Sequence, residues 1–222
     1  MIQKLLIWNK IIYLQLKRIL TYFVVLLHIN SNILSLNSML KSQTNYTPKS
    51  LTFLHGTQAV KDGIFIYSSN YNQIGNNEIE LNRYAGIHLY YKSRYNHIYN
   101  NTILSNEVYG IVLHGGSISV WCNYNIISNN TIFNNGWSGI ATGYEDGSGG
   151  IDNLTIKNST IYGNGHYGIF IHAYSYNVTI EECIIYNNSE AGVYLQQSDK
   201  NQINRNTIYS NEKGIVVING SK

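Results

Sequence analysis

The sequence predicts an all-β fold, a right-handed parallel β-helix solenoid of about six to seven coils, and three observations predict it. One motif recurs every 22–29 residues, its fixed positions are Ile, Asn and Gly, and the segments between them are β-branched and aromatic. No stretch between the motifs has a 3.6-residue period, Ala or Leu richness, or helix caps, so helical connections between strands are excluded. The handedness follows from the chirality of parallel connections.

Each coil opens on an Ile (Ile74, Ile98, Ile127, Ile156, Ile180, Ile203), and five residues later comes a second (Ile79, Ile103, Ile132, Ile161, Ile185, Ile208). Three residues further on stands an Asn: Asn82, Asn106, Asn135, Asn164, Asn188 and Asn211. A Gly followed by Ile or Val then begins the third strand: Gly86, Gly110, Gly139, Gly168, Gly192 and Gly214, with Gly63-Ile64 opening the series. The glycine intervals of 23, 24, 29, 29, 24 and 22 residues fit three short strands and three turns per coil. Strands stacked about 4.8 Å apart place equivalent residues above one another. The Ile columns become inward ladders, as does the column Leu89, Leu113, Thr142, Ile171, Leu195 and Val217. The Asn column becomes a ladder of stacked amides inside a turn, which satisfies polar groups a tight corner would bury. A second such column reads Asn77, Asn101, Asn130, Ser159, Cys183 and Asn206. The Gly column is expected to occupy a backbone conformation that a Cβ disfavours.

Composition agrees. Apolar residues make up 44% of the chain and charged residues only 12%, against about a quarter in ordinary globular proteins. The net charge is +3 with no Lys/Arg cluster beyond Lys17-Arg18, which excludes a nucleic-acid-binding stripe. Cys122 and Cys183 match neither a zinc spacing nor a disulfide framework and are read as small structural side chains. Three regions follow: 1–40, 41–62 and 63–222. Residues 1–18 carry Lys4, Lys10, Lys17 and Arg18, and the apolar run ILTYFVVLLHI follows. That order resembles a signal, a membrane anchor or an amphipathic cap on the first coil, and implies an extracytoplasmic protein, secreted or cell-surface. Residues 41–62 form a junction or an irregular first coil. The repeat runs to GIVVINGSK, where further coils or a partner are expected to cover the last strand.

The motif, seen in full as NHIYNNTILSNEVYGIVL (96–113), resembles the NosD-type β-helix repeat family within the pectin-lyase-like group of carbohydrate-binding proteins and sugar hydrolases. The resemblance covers 63–222. It implies a protein that sits among or acts on polysaccharides, and it transfers no specific activity.

Function on a solenoid belongs to outward residues and coil insertions. The turn from third strand to next Ile is 8 or 9 residues in three cases, but 14 from Leu113 to Ile127 and from Thr142 to Ile156. Two equal insertions on coils 3 and 4 therefore lie side by side. They offer His114, Trp121, Tyr124, Tyr144, Glu145 and Asp146 as a polysaccharide-binding surface, aromatic planes beside hydrogen-bonding groups. Glu145, Asp146 and Asp152 are the candidate acids of a glycoside hydrolase, which needs two carboxylates about 5–9.5 Å apart. A lyase is disfavoured because the inserts hold no Lys or Arg. No metal or other cofactor is expected, except that EDGSGGID (145–152) offers oxygen ligands for a structural Ca²⁺. His114 and His172 lie two coils apart, about 9.6 Å at the standard spacing, too far to share a metal. The alternative reading is a structural envelope or adhesin solenoid.

Overall fold

A computed structural model of the chain describes residues 61–115, 121–143, 150–172 and 174–218. Over those residues the chain forms nineteen strands, β1 to β19, in three parallel sheets, and no helix. The first-strand sheet holds β2 (Gln73–Gly75), β5 (His97–Tyr99), β8 (Ile126–Ser128), β11 (Thr155–Lys157), β14 (Thr179–Glu181) and β17 (Gln202–Asn204). The second-strand sheet holds β3 (Glu78–Glu80), β6 (Thr102–Leu104), β9 (Thr131–Phe133), β12 (Thr160–Tyr162), β15 (Ile184–Tyr186) and β18 (Thr207–Tyr209). The third-strand sheet holds β1 (Asp62–Tyr67), β4 (Ala85–Tyr90), β7 (Tyr109–His114), β10 (Ser138–Thr142), β13 (Tyr167–Ile171), β16 (Ala191–Gln196) and β19 (Lys213–Ile218). Each strand pairs with its counterpart one coil away. Counted by third strands, β1 belongs to coil 1 and the complete coils 2 to 7 follow. This is the parallel β-helix that the repeat predicts. The basic, apolar segment 1–40 and the junction up to residue 60 lie outside the described residues.

The registers put like on like. Ile132 pairs with Ile103 on one side and Ile161 on the other. Ile127 pairs with Ile98 and Ile156. All six are fully buried in one continuous core, and each buried Ile contributes about 1.5–3 kcal/mol of transfer free energy. Thr142 interrupts the Leu/Ile column of the third strands, aligned with Leu113 and Ile171. Its hydroxyl is satisfied by Ser175 Oγ at 3.0 Å and by the His172 N–H at 3.0 Å.

The Asn ladders form as expected. The backbone N–H and the Nδ2 of Asn135 both donate to Asn164 Oδ1, at 3.1 and 3.0 Å. Asn164 repeats this toward Asn188 at 3.1 and 2.9 Å. In the second ladder Cys183 takes an Asn slot: its N–H donates to Asn206 Oδ1 at 2.8 Å and its Sγ to the Glu181 carbonyl at 3.3 Å. Burial pushes that thiol up to about 11 and the Cys122 thiol up to about 12, so both remain protonated. A third ladder, Asn72–Asn96–Asn125, lines the corner before the first strand. Leu154 and Val178 continue its column in the next two coils and are buried with Ile151 and Cys122. The ladder is thus replaced by an apolar plug at the corner that carries the insertions.

The Gly column needs correction. Its members do not occupy the left-handed region; among the described glycines only Gly143 and Gly163 do. Space is the reason instead. A Cβ on Gly110 would lie 2.5 Å from the Gly139 carbonyl oxygen and 2.6 Å from Ile132 Cγ2, and one on Gly139 would meet Gly168 and Ile161 just as closely. The left-handed backbone sits at the corners, on residues such as Asn100 (φ 52°), Asn129 (φ 56°), Asn134 (φ 54°) and Asn187 (φ 54°), where Asn tolerates it best.

In coil 7 the inward columns reach the end of the described strands, and Ile215 and Val217 are 49% and 53% exposed.

Ile132→Ala should cost about 2–5 kcal/mol, because the side chain it truncates is wholly buried. Gly139→Ala should also destabilise, although Ala is the better residue for an ordinary strand. Urea denaturation checks both; a Gly139→Ala variant as stable as the parent would contradict the close-approach explanation.

Candidate functional site

The corner between third and first strands is built by three columns that the repeat sets one coil apart. The first is Tyr71, Tyr95 and Tyr124, three left-handed corner residues (φ 61°, 56° and 57°) whose rings stack at 5.0 Å with planes 3–4° apart. They are 45–53% exposed, and Tyr95 has both faces stacked while Tyr71 and Tyr124 each use one face in the column. The second holds Asp152, Tyr176 and Asp199, joined by isolated parallel bridges. The third holds Ser175 and Ser198, both buried.

Beside these columns lies a half-open cleft of about 270 Å³, lined by Trp121, Tyr174, Ser175, Tyr176, Gln197 and Asp199. Trp121 enters from the insert of coil 3, half-buried, and its carbonyl accepts a hydrogen bond from Arg94 Nε at 3.3 Å. Tyr174 faces solvent, 62% exposed. The Lys200 ammonium lies over the Tyr176 ring, 5.0 Å from its centroid. Ser175 is committed to structure, donating to the His172 carbonyl at 2.6 Å. The cleft combines apolar ring surface, an amide and a carboxylate, the combination that orients a small polar ligand.

The sequence-predicted residues divide. Trp121 lines the cleft. Tyr124 caps the tyrosine stack, and Asp152 sits half-buried on the column of Tyr176 and Asp199. Burial raises the Asp152 carboxyl above its ordinary value, against hydrogen bonds from Asn153 that lower it. Tyr144, Glu145 and Asp146 lie outside the described residues, as does most of the predicted calcium segment 145–152; among the described residues no group of three or more His, Cys, Asp or Glu is placed to hold a metal.

His114 is placed differently from the expected surface position. It ends β7 fully buried. Its Nδ1 lies 3.1 Å from His88 Nε2, and His88 Nδ1 lies 3.2 Å from Asp62 Oδ2. Three successive third strands thus carry a buried Asp–His–His chain on the outer face of their sheet, packed beside Tyr84. It cannot meet a ligand in the cleft as an exposed aromatic would. Desolvation, then the neighbouring His88, lowers His114 from its ordinary 6.5 to about 2.

Farther along that face the cover thins. His166 Nδ1 lies 2.5 Å from Glu190 Oε1, both side chains near 42% exposed, and Trp137 meets His166 and Tyr167 edge to face. Burial and a hydrogen bond to Glu190 push the Tyr167 phenol up. Sequence reasoning singled out neither His88 nor this cluster, nor Tyr174, Tyr176 and Asp199. The signal was present: each occupies a fixed offset from the Gly or the first Ile of its coil.

The family model for the right-handed β-helix region matches residues 39–148 and 148–222. None of the curated proteins matches the sequence. Among solved structures, the periplasmic alginate epimerase AlgG is similar with a TM-score of 0.64 at 20% identity, over 72% of this chain and 39% of that one. The A-module of the Azotobacter vinelandii mannuronan C-5 epimerase AlgE4 gives 0.55 at 15% identity, over 72% and 54%. Pectate lyase Pel9A gives 0.50 at 16%, over 78% and 51%. At these identities the likeness is one of fold, and the chain spans about two fifths of AlgG.

Between a folded value near 2 and the unfolded 6.5, only the unfolded chain protonates His114, so stability rises with pH across that window and is lost as pH falls below about 6.5. His114→Gln should flatten this acid limb by up to about 1.4 kcal/mol per pH unit. Urea titrations from pH 7 to pH 4 check it; parallel limbs for variant and parent would contradict the buried, neutral His114.

Proposed function

The chain belongs to the right-handed β-helix family, and from that premise we propose that it is an extracytoplasmic protein that binds polysaccharide at the corner of coils 3 to 6. The observation that carries this reading is the cleft in which Trp121 lies beside Tyr174, Tyr176, Gln197 and Asp199. Aromatic side chains supply large contact area at low entropic cost, and the amide and carboxylate fix the orientation of sugar hydroxyls. The flanking insertions lengthen the same corner, so Tyr144, Glu145 and Asp146 belong to the proposed surface, with Tyr124 at its edge. The basic, apolar segment 1–40 is the proposed export signal or anchor. A structural Ca²⁺ in 145–152 remains part of the proposal, with a role in shaping the insert.

A second reading, polysaccharide modification, is favoured by one observation. Half-exposed His166, its Nδ1 against Glu190, has the orientation of a general base beside the neutral phenol of Tyr167. A hydrolase would instead draw its acids from Asp152 and the insert residues Glu145 and Asp146.

Light-scattering chromatography of the full chain mixed with neutral and acidic polysaccharides separates the readings. Binding predicts co-elution with unchanged polymer mass, weakened at least about tenfold by Trp121→Ala, the size of effect expected of an aromatic anchor. Co-elution indifferent to that substitution would contradict the cleft. A fall in polymer mass would favour modification, and inertness toward every polymer the structural solenoid.

A further inference from the structure

We infer that the cleft selects neutral, hydroxyl-rich glycans and rejects polyuronates, so that the ligand class differs from the alginate and pectate named for the structural neighbours. The inference rests on the glycan-binding reading and concerns the charge of the same site.

Among the described residues that line the cleft, Asp199 is the one acidic side chain, and none is Lys, Arg or His. Its backbone is fixed by the bridge to Tyr176, and Asp152 holds the equivalent place on the other side of that tyrosine. The Oδ1 atoms of Asp152 and Asp199 are both buried and have no hydrogen-bond partner among the described residues. A buried acceptor without a donor bears its desolvation penalty uncompensated. Asp199 as a whole is only half-buried in the cleft wall, so a sugar hydroxyl can donate to its carboxylate from the cleft side. The raised Asp152 carboxyl agrees with an environment that already resists negative charge.

A uronate brings the wrong groups. Its carboxylate is an acceptor, and it would face Asp199 in a partly desolvated wall where like charges repel strongly. The cation beside it is already matched, since the Lys200 ammonium lies in the field of Asp199 itself. The Lys200 ammonium is engaged over the Tyr176 ring, and Arg94 Nε donates to the Trp121 carbonyl. The apolar C–H face of a neutral pyranose, by contrast, fits the rings of Trp121 and Tyr174 while its edge hydroxyls reach Asp199 and Gln197.

Calorimetric titration of the full chain with neutral hexaoses (of glucose, mannose and xylose) and with hexauronates of galacturonate and mannuronate tests this. At least one neutral hexaose should bind about tenfold or more tightly than either hexauronate, the scale set by one like-charge juxtaposition. Asp199→Asn keeps the side-chain size and removes the charge; it should weaken the neutral sugar and narrow the ratio. Gln197→Arg, at an exposed position, should bring the hexauronates up without touching the fold. A hexauronate that binds the parent as tightly as any neutral sugar, in a manner lost with Trp121→Ala, would overturn the selectivity and leave the binding reading standing. An unchanged ratio in both charge variants would also overturn it. No binding of any oligosaccharide would remove both.

Discussion

The closeness with which successive coils meet at the Gly–Asn corner is the constraint on which the rest of the molecule depends. There the backbone of one coil touches the glycine carbonyl, the ladder amide and the Ile methyl of the next, leaving no room for a Cβ. The amide ladder makes this contact favourable: one Asn oxygen receives two donors from the coil before it, so a deeply buried turn has no orphaned polar group. Fixed registers follow, because a slip of one residue would set an inward Ile against an outward neighbour, Ile103 against Thr131 or Phe133, and pull the amide ladder apart. So do the outer features, since a uniform rise is what brings rings such as Phe133, Tyr162, Tyr186 and Tyr209 into parallel stacks 4.8–5.0 Å apart.

The insertions act against this regularity. Up to coil 3 the third ladder runs Asn72, Asn96, Asn125, and its amides hold the corner before each first strand. The first long connection still ends on Asn125. After the second, and after the ordinary connection that follows it, Leu154 and Val178 fill that column beside Ile151, and hydrogen-bonded packing gives way to apolar packing until Asn201. The chain leaves the ladder geometry just where the cleft opens. A regular wall supplies rigidity, and its local departure supplies concavity, which is the usual division between scaffold and site.

Much of this was legible in the sequence. Period, strand positions, the Ile and Asn columns and the place of Cys183 follow from residues at fixed offsets, since a solenoid converts sequence spacing into spatial adjacency. The Gly column was legible as a requirement but not as its cause, because a steric contact with the next coil and a left-handed φ both select glycine. The buried His88–His114 pair escaped because outward residues of the third strands alternate with inward ones in any amphipathic strand, and the pattern alone does not say that the outer face is itself buried. Trp121 was legible as a member of an insert corner. Its companions Tyr174, Tyr176 and Asp199 were not, because they belong to coils without insertions and reach the cleft only through stacking.

A crystal structure of the full chain soaked with the tightest-binding oligosaccharide tests the central claim most directly, that the corner cleft is the functional site. The account predicts a sugar ring against Trp121 and Tyr174, with a hydroxyl donating to Asp199. A sugar bound instead over His166, Glu190 and Trp137 on the outer face of the third-strand sheet, with the cleft empty, would contradict it.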